Sequence, residues 1–462
     1  MFGIICVLIG VILVGYLIVK RYYAPWSLFL VGIILLAVMA TISPEPLLHG
    51  AKSATKSAFF DVIQYFTNQS KSILVGLGLN IMIISGFADY LDKIGATRSM
   101  VEIAAKPLSY VKSPYLLLAL AYALGQLINV FIPSAVGLGV LMMLMVYPLL
   151  ISVGCSNVAA VACIITMSAL DLGPASANSI LTAKLASISP MEYFVDGQIP
   201  VAIVTVIAVA ATHFFYQKFM DKRDLASGKL TTKDFELHSE FEVKDERKSA
   251  PKIYALFPVL PIVLLFIFSK FVYSGYRVEL ATAMMTCTLF SFLVDCLYTR
   301  DFRKSCENIK SFFSGMGRVF ASTVSLIICA GVFADGLKAT GGITTIINAA
   351  ASMEGTGGMI MLLVMCGIMI LASFVTGSGN AAFFAFSSLL PTAAKSVGWD
   401  ILVMACPVQL VAGIARSMSP IAGVTISVAK IANVSPFAAV ARTIPPMIVG
   451  TMVSIAASFV FL

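Results

Sequence analysis

The stretch Met359–Ala394 reads MIMLLVMCGIMILASFVTGSGNAAFFAFSSLLPTAA and decides how the fold is interpreted. It is apolar except at its centre, where Thr376-Gly-Ser-Gly-Asn380 combines hydroxyl, glycine and amide residues. A membrane-spanning helix needs roughly 17–25 mostly apolar residues, so the stretch is too long for a single span. We interpret it as a re-entrant hairpin that turns at this polar centre. Two ordinary spans are the alternative interpretation.

A second long apolar stretch, Pro114–Val153, has the same design and breaks at Phe131-Ile-Pro-Ser134. Each predicted hairpin is followed by an apolar helix that carries an interruption of its own. The interruptions read Asp171-Leu-Gly-Pro-Ala-Ser-Ala-Asn178 and Ala415-Arg-Ser-Met-Ser-Pro420. Proline removes a backbone hydrogen bond and clashes with the preceding turn, so both helices are expected to be discontinuous there.

The two halves of the chain resemble each other at a constant offset of 246 residues. The matching positions are Phe87-Ala88-Asp89 with Phe333-Ala334-Asp335, Pro174 with Pro420, Lys184 with Lys430, Ser189-Pro190 with Ser435-Pro436, and Pro200 with Pro446. Internal repeats of this size are typical of transporter folds. The sequence therefore predicts two structural repeats, each with one hairpin and one discontinuous helix.

The distribution of basic residues predicts the orientation of these repeats. If the polar segment Gln217–Lys252 is cytoplasmic, 21 lysines and arginines lie on that side and seven on the other. Such a bias is the usual signature of the cytoplasmic face. It requires each half to cross the membrane five times, which inverts the second repeat. We predict a first transmembrane repeat at 1–216, a solvated cytoplasmic linker at 217–252 and a second, inverted transmembrane repeat at 253–462.

Composition limits the class of protein. Of the 462 residues, 59% are hydrophobic and only 12% are charged, whereas soluble domains carry about 25% charged residues. We expect an all-α, multi-pass protein of a bacterial inner membrane, with the lipid bilayer as its main partner. The net charge of +8 lies in short loops and does not indicate nucleic-acid binding. The scattered cysteines and the missing hydrolytic, redox and nucleotide-binding motifs argue against an enzyme, a metal site or a cofactor.

The hairpin tips are the first pair of candidate binding segments. A helix that begins just after a tip presents free N–H groups and a partial positive charge, which suit a carboxylate. The carbonyl groups that end the preceding half-helix suit a cation. We therefore predict substrate contacts from Ser134 at the first tip and from Thr376, Ser378 and Asn380 at the second. Close helix packing by small residues is the alternative for both tips.

The two interruptions are the second pair of candidate segments. Discontinuous helices near the membrane midplane are where such transporters hold substrate and coupling ion. In the second interruption we predict that Arg416, Ser417 and Ser419 bind substrate. In the first interruption, the candidates for substrate binding or ion coupling are Asp171, Gly173, Pro174, Ser176 and Asn178.

Arg416 is the most informative single residue, because an intramembrane charge is costly and indicates a functional site by default. Its planar guanidinium matches a carboxylate. Substrate binding and a structural salt bridge to Asp171 are both compatible with its position. For other repeated charges we expect structural roles. Asp89 and Asp335 are predicted to cap helices or set topology, and Lys184 and Lys430 to reach the membrane interface.

These segments resemble the anaerobic C4-dicarboxylate carrier C family, within the wider ion-transporter superfamily. The resemblance covers the whole chain, and its most specific segments are Thr376–Ala381 and Arg416–Pro420. It also includes Ser113-Pro-Tyr-Leu-Leu, Ser134-Ala-Val-Gly-Leu-Gly-Val-Leu and Ser419-Pro-Ile-Ala-Gly-Val. The first interruption departs from the family's pattern, because Asp171 and Asn178 replace a more hydroxyl-rich or acidic stretch. That departure leaves the coupling ion, Na⁺ or H⁺, undecided.

The resemblance implies a secondary active transporter of succinate, fumarate or malate. It further implies exchange or efflux across the inner membrane, an elevator-type motion and a homodimer. Another organic anion as substrate is the nearest alternative, and an intramembrane enzyme or sensor is a more distant one.

Overall fold

The computed structural model describes residues 2–20, 22–42, 55, 57–237, 250–342 and 357–462. Within these ranges the protein is entirely helical and contains no strand. Seven helices in this part of the chain are long and apolar enough to cross a membrane. The prediction of an all-α membrane protein is confirmed.

The α-helices follow the apolar runs of the sequence. In the first half they are Phe2–Val19, Ala24–Ile42, Ala58–Ile73, Leu79–Lys93, Ala96–Ala105, Pro114–Asn129, Ala135–Met145, Tyr147–Ser152, Asn157–Thr166, Ala177–Leu185, Pro190–Glu192 and Ile199–Ala226. In the second half they are Leu260–Ile267, Leu280–Thr299, Phe302–Val319, Ser325–Ala339, Gly357–Thr376, Gly379–Phe386, Leu390–Ser396, Ile401–Arg416, Gly423–Ile431 and Pro436–Phe461. Short 3₁₀ segments follow or join several of them.

The local backbone repeats at the same offset as the sequence. Two π-helical segments match between the halves, Leu74–Gly78 in the first and Phe320–Val324 in the second, whereas a third, Tyr193–Gln198, has an α-helix at its equivalent positions. The two matching segments are 246 residues apart, although their sequences differ. Left-handed residues recur at the same spacing, at Gly95 with Gly341 and at Ser187 with Asn433. The two halves therefore fold into equivalent series of helices, as the aligned prolines predicted.

Both predicted hairpins are present. The first hairpin consists of Pro114–Asn129 and Ala135–Met145, and the second consists of Gly357–Thr376 and Gly379–Phe386. Their tips line one common cavity. In both hairpins the polypeptide turns back inside the protein. The re-entrant interpretation therefore holds, and the alternative of two ordinary spans does not.

Both helices after the hairpins are discontinuous. The first broken helix stops at Thr166 and resumes at Ala177, and the second stops at Arg416 and resumes at Gly423. The two interruptions approach each other closely, because a Cβ atom on Gly413 would overlap the carbonyl oxygen of Ala169. The first interruption begins earlier than predicted from Asp171, since the chain already leaves the helix at Met167.

The polar segment between the halves differs from its prediction. Its first ten residues continue the helix Ile199–Ala226, and Gln217 and Asp221 within them are buried rather than solvated. Arg442, which the charge count places on the cytoplasmic side, lies 3% exposed in Pro436–Phe461 and forms ion pairs of 2.8 Å with Asp221 and Asp224. Buried charges require such partners. Residues 238–249 of the predicted linker, and Arg21, Lys52 and Lys56 of the charge count, lie outside the described residues.

Candidate functional site

A cavity of about 700 Å³ lies where the hairpin tips and the interruptions meet. Parts of Leu79–Lys93 and Phe302–Val319 complete its wall. Five of the twelve predicted site residues line it, namely Ser134, Asp171, Ser378, Asn380 and Arg416. The fold therefore brings together residues from all four interrupted segments, which lie up to 282 positions apart in the chain.

The charged groups of this cavity are divided between the halves of the chain. The first half contributes the carboxylates of Asp89, Asp92 and Asp171, and the second half contributes the guanidiniums of Arg318 and Arg416. Among the described residues that line the cavity, no other side chain is ionisable. A cavity of this kind offers positive groups to an anion and negative groups to a cation.

Arg416 is held by backbone rather than by a carboxylate. Its Nη2 donates to the carbonyl oxygen of Ser168 at 2.6 Å and to the Ser168 hydroxyl at 3.3 Å. Among the described residues its buried Nε has no hydrogen-bond partner. Arg416 and Asp171 interact electrostatically, yet no ion pair within 4.0 Å joins them in the described part of the chain. The guanidinium thus keeps an unused donor beside the cavity.

Asp171 is held by neutral donors. Its Oδ2 accepts hydrogen bonds of 2.9 Å from the Ser176 hydroxyl and from Asn178 Nδ2. Asn178 Nδ2 also donates to Asn380 Oδ1 at 3.1 Å. One amide therefore connects the first broken helix with the tip of the second hairpin. The backbone of Asp171 has a left-handed φ of 50°, which asparagine and aspartate tolerate better than most residues.

The tip serines cap the helices that start at the cavity. The Ser134 hydroxyl accepts from the Gly137 N–H, and the Ser378 hydroxyl accepts from the Ala381 N–H, both at 3.2 Å. Serine at this position satisfies an amide that the helix leaves unpaired. The positive ends of Ala135–Met145 and Gly379–Phe386 therefore face the cavity from two sides.

Seven predicted site residues lie outside the lining of the cavity. Three hydroxyls bond to main-chain carbonyls instead: Thr376 to Ala372 at 2.7 Å, Ser417 to Gly413 at 3.4 Å and Ser419 to Phe374 at 2.6 Å. The first two bond back to the preceding turn of their own helix, as serine and threonine within helices can, whereas Ser419 bonds to a neighbouring helix. Gly173, Pro174, Ser176 and Asn178 lie behind the cavity wall, where the last two support Asp171. Direct substrate contact by these seven residues stays a prediction.

A buried amide network that sequence reasoning missed supports the first interruption. Gln198 Oε1 accepts from the Gly173 N–H at 3.0 Å, and Gln198 Nε2 donates to Gln409 Oε1 at 2.8 Å. The Tyr193 hydroxyl donates to the same Gln409 oxygen at 2.9 Å. The sequence signal for this network was the position of Gln198 and Gln409 in or next to apolar runs, and both side chains are fully buried. Buried amides need partners, so such residues indicate a polar contact between helices.

The repeated charges fall into two groups. Lys184 and Lys430 are exposed in the last turn of their helices, and their reach to the membrane interface stays a prediction. Asp89 differs from its prediction, because it lines the cavity and pairs with Arg318. Its counterpart Asp335 accepts from the Tyr65 hydroxyl at 2.9 Å and lies outside the cavity lining.

Comparison with known proteins identifies the family. The model of the C4-dicarboxylate anaerobic carrier family matches residues 2–462. An anaerobic C4-dicarboxylate transporter, DcuC from Escherichia coli K12, is 34% identical over 454 residues, which cover 98% of this chain and 95% of the relative. A probable transporter of the same name from Vibrio cholerae is 33% identical over 457 residues, covering 98% and 97%.

Two solved transporter structures share the fold at low sequence identity. The antimetabolite efflux pump MtrF from Neisseria gonorrhoeae gives a TM-score of 0.62 at 14% identity, covering 95% of both chains. The YdaH transporter from Alcanivorax borkumensis, described as having an unusual topology, gives 0.58 at 13% identity, covering 94% of this chain and 98% of that one. Both are membrane transporters, and their likeness supports the all-helical transporter fold.

The relatives are named as transporters of bacteria, so this chain is a multi-pass inner-membrane protein and not an enzyme. The resemblance drawn from its hairpin tips and interruptions is confirmed. With a family match over residues 2–462 and relatives that align over nearly their whole length, the chain belongs to the C4-dicarboxylate anaerobic carrier family.

Proposed function

We propose that this protein is a secondary active transporter of C4-dicarboxylates such as succinate, fumarate and malate. The observation that carries the proposal is Arg416, an intramembrane guanidinium that lines a cavity of about 700 Å³ and whose buried Nε has no hydrogen-bond partner among the described residues. Cavities of roughly 300–1,000 Å³ are usual for small-molecule ligands. A carboxylate fits this group, because guanidinium and carboxylate form strong charge-assisted hydrogen bonds.

The charges of the cavity favour coupling of the substrate to a cation. Three aspartates and two arginines line the described part of the wall. A dicarboxylate adds two negative charges, and burying uncompensated charge costs far more than a few kcal/mol. The partial positive charges of two helix N-termini, roughly half a unit each, do not balance this excess of negative charge in the cavity. Co-transported H⁺ or Na⁺ would reduce this excess of negative charge, and Asp171 is the proposed residue for the cation because neutral donors hold its carboxylate.

An elevator-type motion is the proposed mechanism of translocation. The two hairpins and the two broken helices enclose the cavity together, so substrate would travel with them as one unit. The cavity extends to Asp92, close to the Lys93 end of its helix, which the charge distribution assigns to the cytoplasm. This supports a cytoplasm-facing conformation. Exchange or efflux as the working mode and a homodimer as the assembly are part of the same proposal and follow from the family resemblance.

Counterflow in proteoliposomes tests the proposed function. Liposomes loaded with unlabelled succinate should accumulate external radiolabelled succinate transiently, and fumarate or malate inside should replace succinate. Butyrate, a monocarboxylate of similar length, serves as the matched control and should not support accumulation. Accumulation with a different organic anion, but with no C4-dicarboxylate, would overturn the substrate assignment. No counterflow with any anion would overturn the transport proposal itself.

A further inference from the structure

A second arginine lines the cavity, far from the interruptions that carry Arg416. Arg318 lies in the last turn of Phe302–Val319, and its side chain is 68% exposed. Its Nη2 donates to Asp89 Oδ2 on the neighbouring helix Leu79–Lys93. Asp89 lies one turn from the Lys93 end of that helix, so the pair occupies the outer part of the cavity wall.

This ion pair breaks the repeat symmetry of the fold. At the offset of 246 residues, Ser72 occupies the position equivalent to Arg318. Asp335, equivalent to Asp89, bonds to Tyr65 and Gln69 at 2.9 and 3.3 Å, and its ion pair of 3.7 Å is with Lys338 of its own helix rather than with an arginine of a neighbouring helix. The helices that carry both aspartates serve the same structural role in the two halves. Arg318 lines the cavity, whereas the equivalent position in the other repeat has no arginine. The helix arrangement that the two repeats share therefore does not require it.

We propose that Arg318 is a specificity-determining residue that receives one carboxylate of the substrate at the entrance of the cavity. This inference rests on the proposed transport of dicarboxylates. Among the described residues Asp89 engages one nitrogen of the guanidinium, so other N–H groups remain available. An incoming carboxylate exchanges with Asp89 or binds beside it, and then passes to Arg416 deeper in the cavity. Two carboxylates on one substrate allow the second to bind before the first is released.

The physical basis is long-range attraction at an exposed site. An exposed guanidinium attracts a dianion more strongly than a monoanion, and salt screens this attraction over about 8–10 Å. Charges of this type affect association more than the strength of the final complex. Arg318 should therefore influence KM and its salt dependence more than the maximal rate. A purely structural Arg318–Asp89 pair would influence stability and leave substrate discrimination unchanged.

The test compares four variants in the succinate counterflow assay with wild-type protein. Arg318→Gln should raise the KM for succinate about tenfold with a maximal rate within twofold of wild type, and it should flatten the rise of KM with salt. Arg318→Lys should restore most of the loss. Asp89→Asn should lower the KM, because the competing carboxylate is gone. Arg303→Gln is the matched control, since Arg303 is exposed on the same helix but lies outside the cavity lining.

Unchanged KM and salt dependence in Arg318→Gln would overturn the inference while wild-type transport still supports the proposed function. Failure of wild-type protein to transport any C4-dicarboxylate would instead overturn the proposed function. If Arg318→Gln does not fold, Asp89→Asn decides: a lower KM supports the inference, and an unchanged or higher KM contradicts it.

Discussion

Arg416 and Asp171 line the same cavity and interact electrostatically, yet each takes its hydrogen bonds from other groups. Arg416 donates to Ser168, and Asp171 accepts from Ser176 and Asn178. A structural salt bridge, one of the two interpretations of Arg416, would bring these charges into contact. Their separation leaves the guanidinium available to an anion and the carboxylate available to a cation.

Asp171→Asn should uncouple substrate from its driving ion. The change keeps the shape of the side chain and removes one negative charge near Arg416. Because like charges repel, succinate should bind about tenfold more tightly when the coupling ion is scarce. An imposed pH or Na⁺ gradient should no longer drive uptake into proteoliposomes. Asp196→Asn, an exposed aspartate paired with Lys270 outside the cavity lining, is the control. Gradient-driven uptake that persists in Asp171→Asn would remove Asp171 from the coupling site.

The Asn178–Asn380 hydrogen bond should be energetically measurable in the working protein. Single and double alanine variants form a cycle that isolates the contact. We expect a coupling energy of about 0.5–1.5 kcal/mol in the free energy derived from KM for succinate. Asn178→Ala combined with Asn308→Ala, on a helix outside this contact, should be additive. Additivity for the Asn178–Asn380 pair as well would show that the first broken helix and the tip of the second hairpin act independently.

Local chemistry explains what the sequence could predict of this site. Pro133, Pro174 and Pro420 break a helix and the glycines around Ser378 weaken one, so both hairpin tips and both interruptions were visible without a structure. Arg416 was visible because a lone charge in an apolar run is costly. The π-helical segments Leu74–Gly78 and Phe320–Val324 had no such marker, since their sequences contain neither proline nor a charged residue.

Local sequence patterns could not predict the contacts between the two halves. The neighbours of Arg318 and Arg442 depend on how distant helices pack, and a basic residue near a span end is equally compatible with a loop. The hydroxyls of Ser417 and Ser419 suggested a ligand, but the backbone carbonyls around them were equally good acceptors. A local pattern identifies polar groups inside the membrane and does not say which partner each one bonds.

Arg442→Ala should destabilise the protein more than it affects the cavity. The substitution leaves Asp221 buried without its cation, whereas Asp224 keeps Arg223 at 3.1 Å. Loss of one partner of a buried ion pair typically costs about 3–5 kcal/mol. We expect a clearly lower thermal unfolding temperature in detergent, measured by intrinsic fluorescence. Arg442→Lys should recover part of the stability, and Arg277→Ala, at an exposed position, should have no effect. An unchanged unfolding temperature in Arg442→Ala would mean that the buried network contributes no net stability.

The predicted orientation can be tested by cysteine labelling. Ser227 is exposed at the end of Ile199–Ala226 and should face the cytoplasm, whereas exposed Ser274 should face the opposite side. In a background without native cysteines, an impermeant maleimide added to intact cells should label Ser274→Cys and not Ser227→Cys. Inside-out vesicles should give the reverse result. Labelling of Ser227→Cys from outside would invert the topology.

The central claim is that Arg416 neutralises one carboxylate of a dicarboxylate. Arg416→Lys keeps the charge but loses the planar fork, so it should weaken binding less than Arg416→Ala does. Loss of a charge-assisted contact costs roughly 2–5 kcal/mol, which corresponds to at least a thirtyfold loss of affinity.

The most direct measurement is equilibrium binding of succinate and of butyrate to purified wild-type, Arg416→Lys and Arg416→Ala proteins that elute as folded species. We predict that wild type prefers succinate, that Arg416→Lys keeps part of this preference and that Arg416→Ala loses it. Wild-type succinate affinity in a folded Arg416→Ala protein would contradict the account and make Arg416 a structural residue.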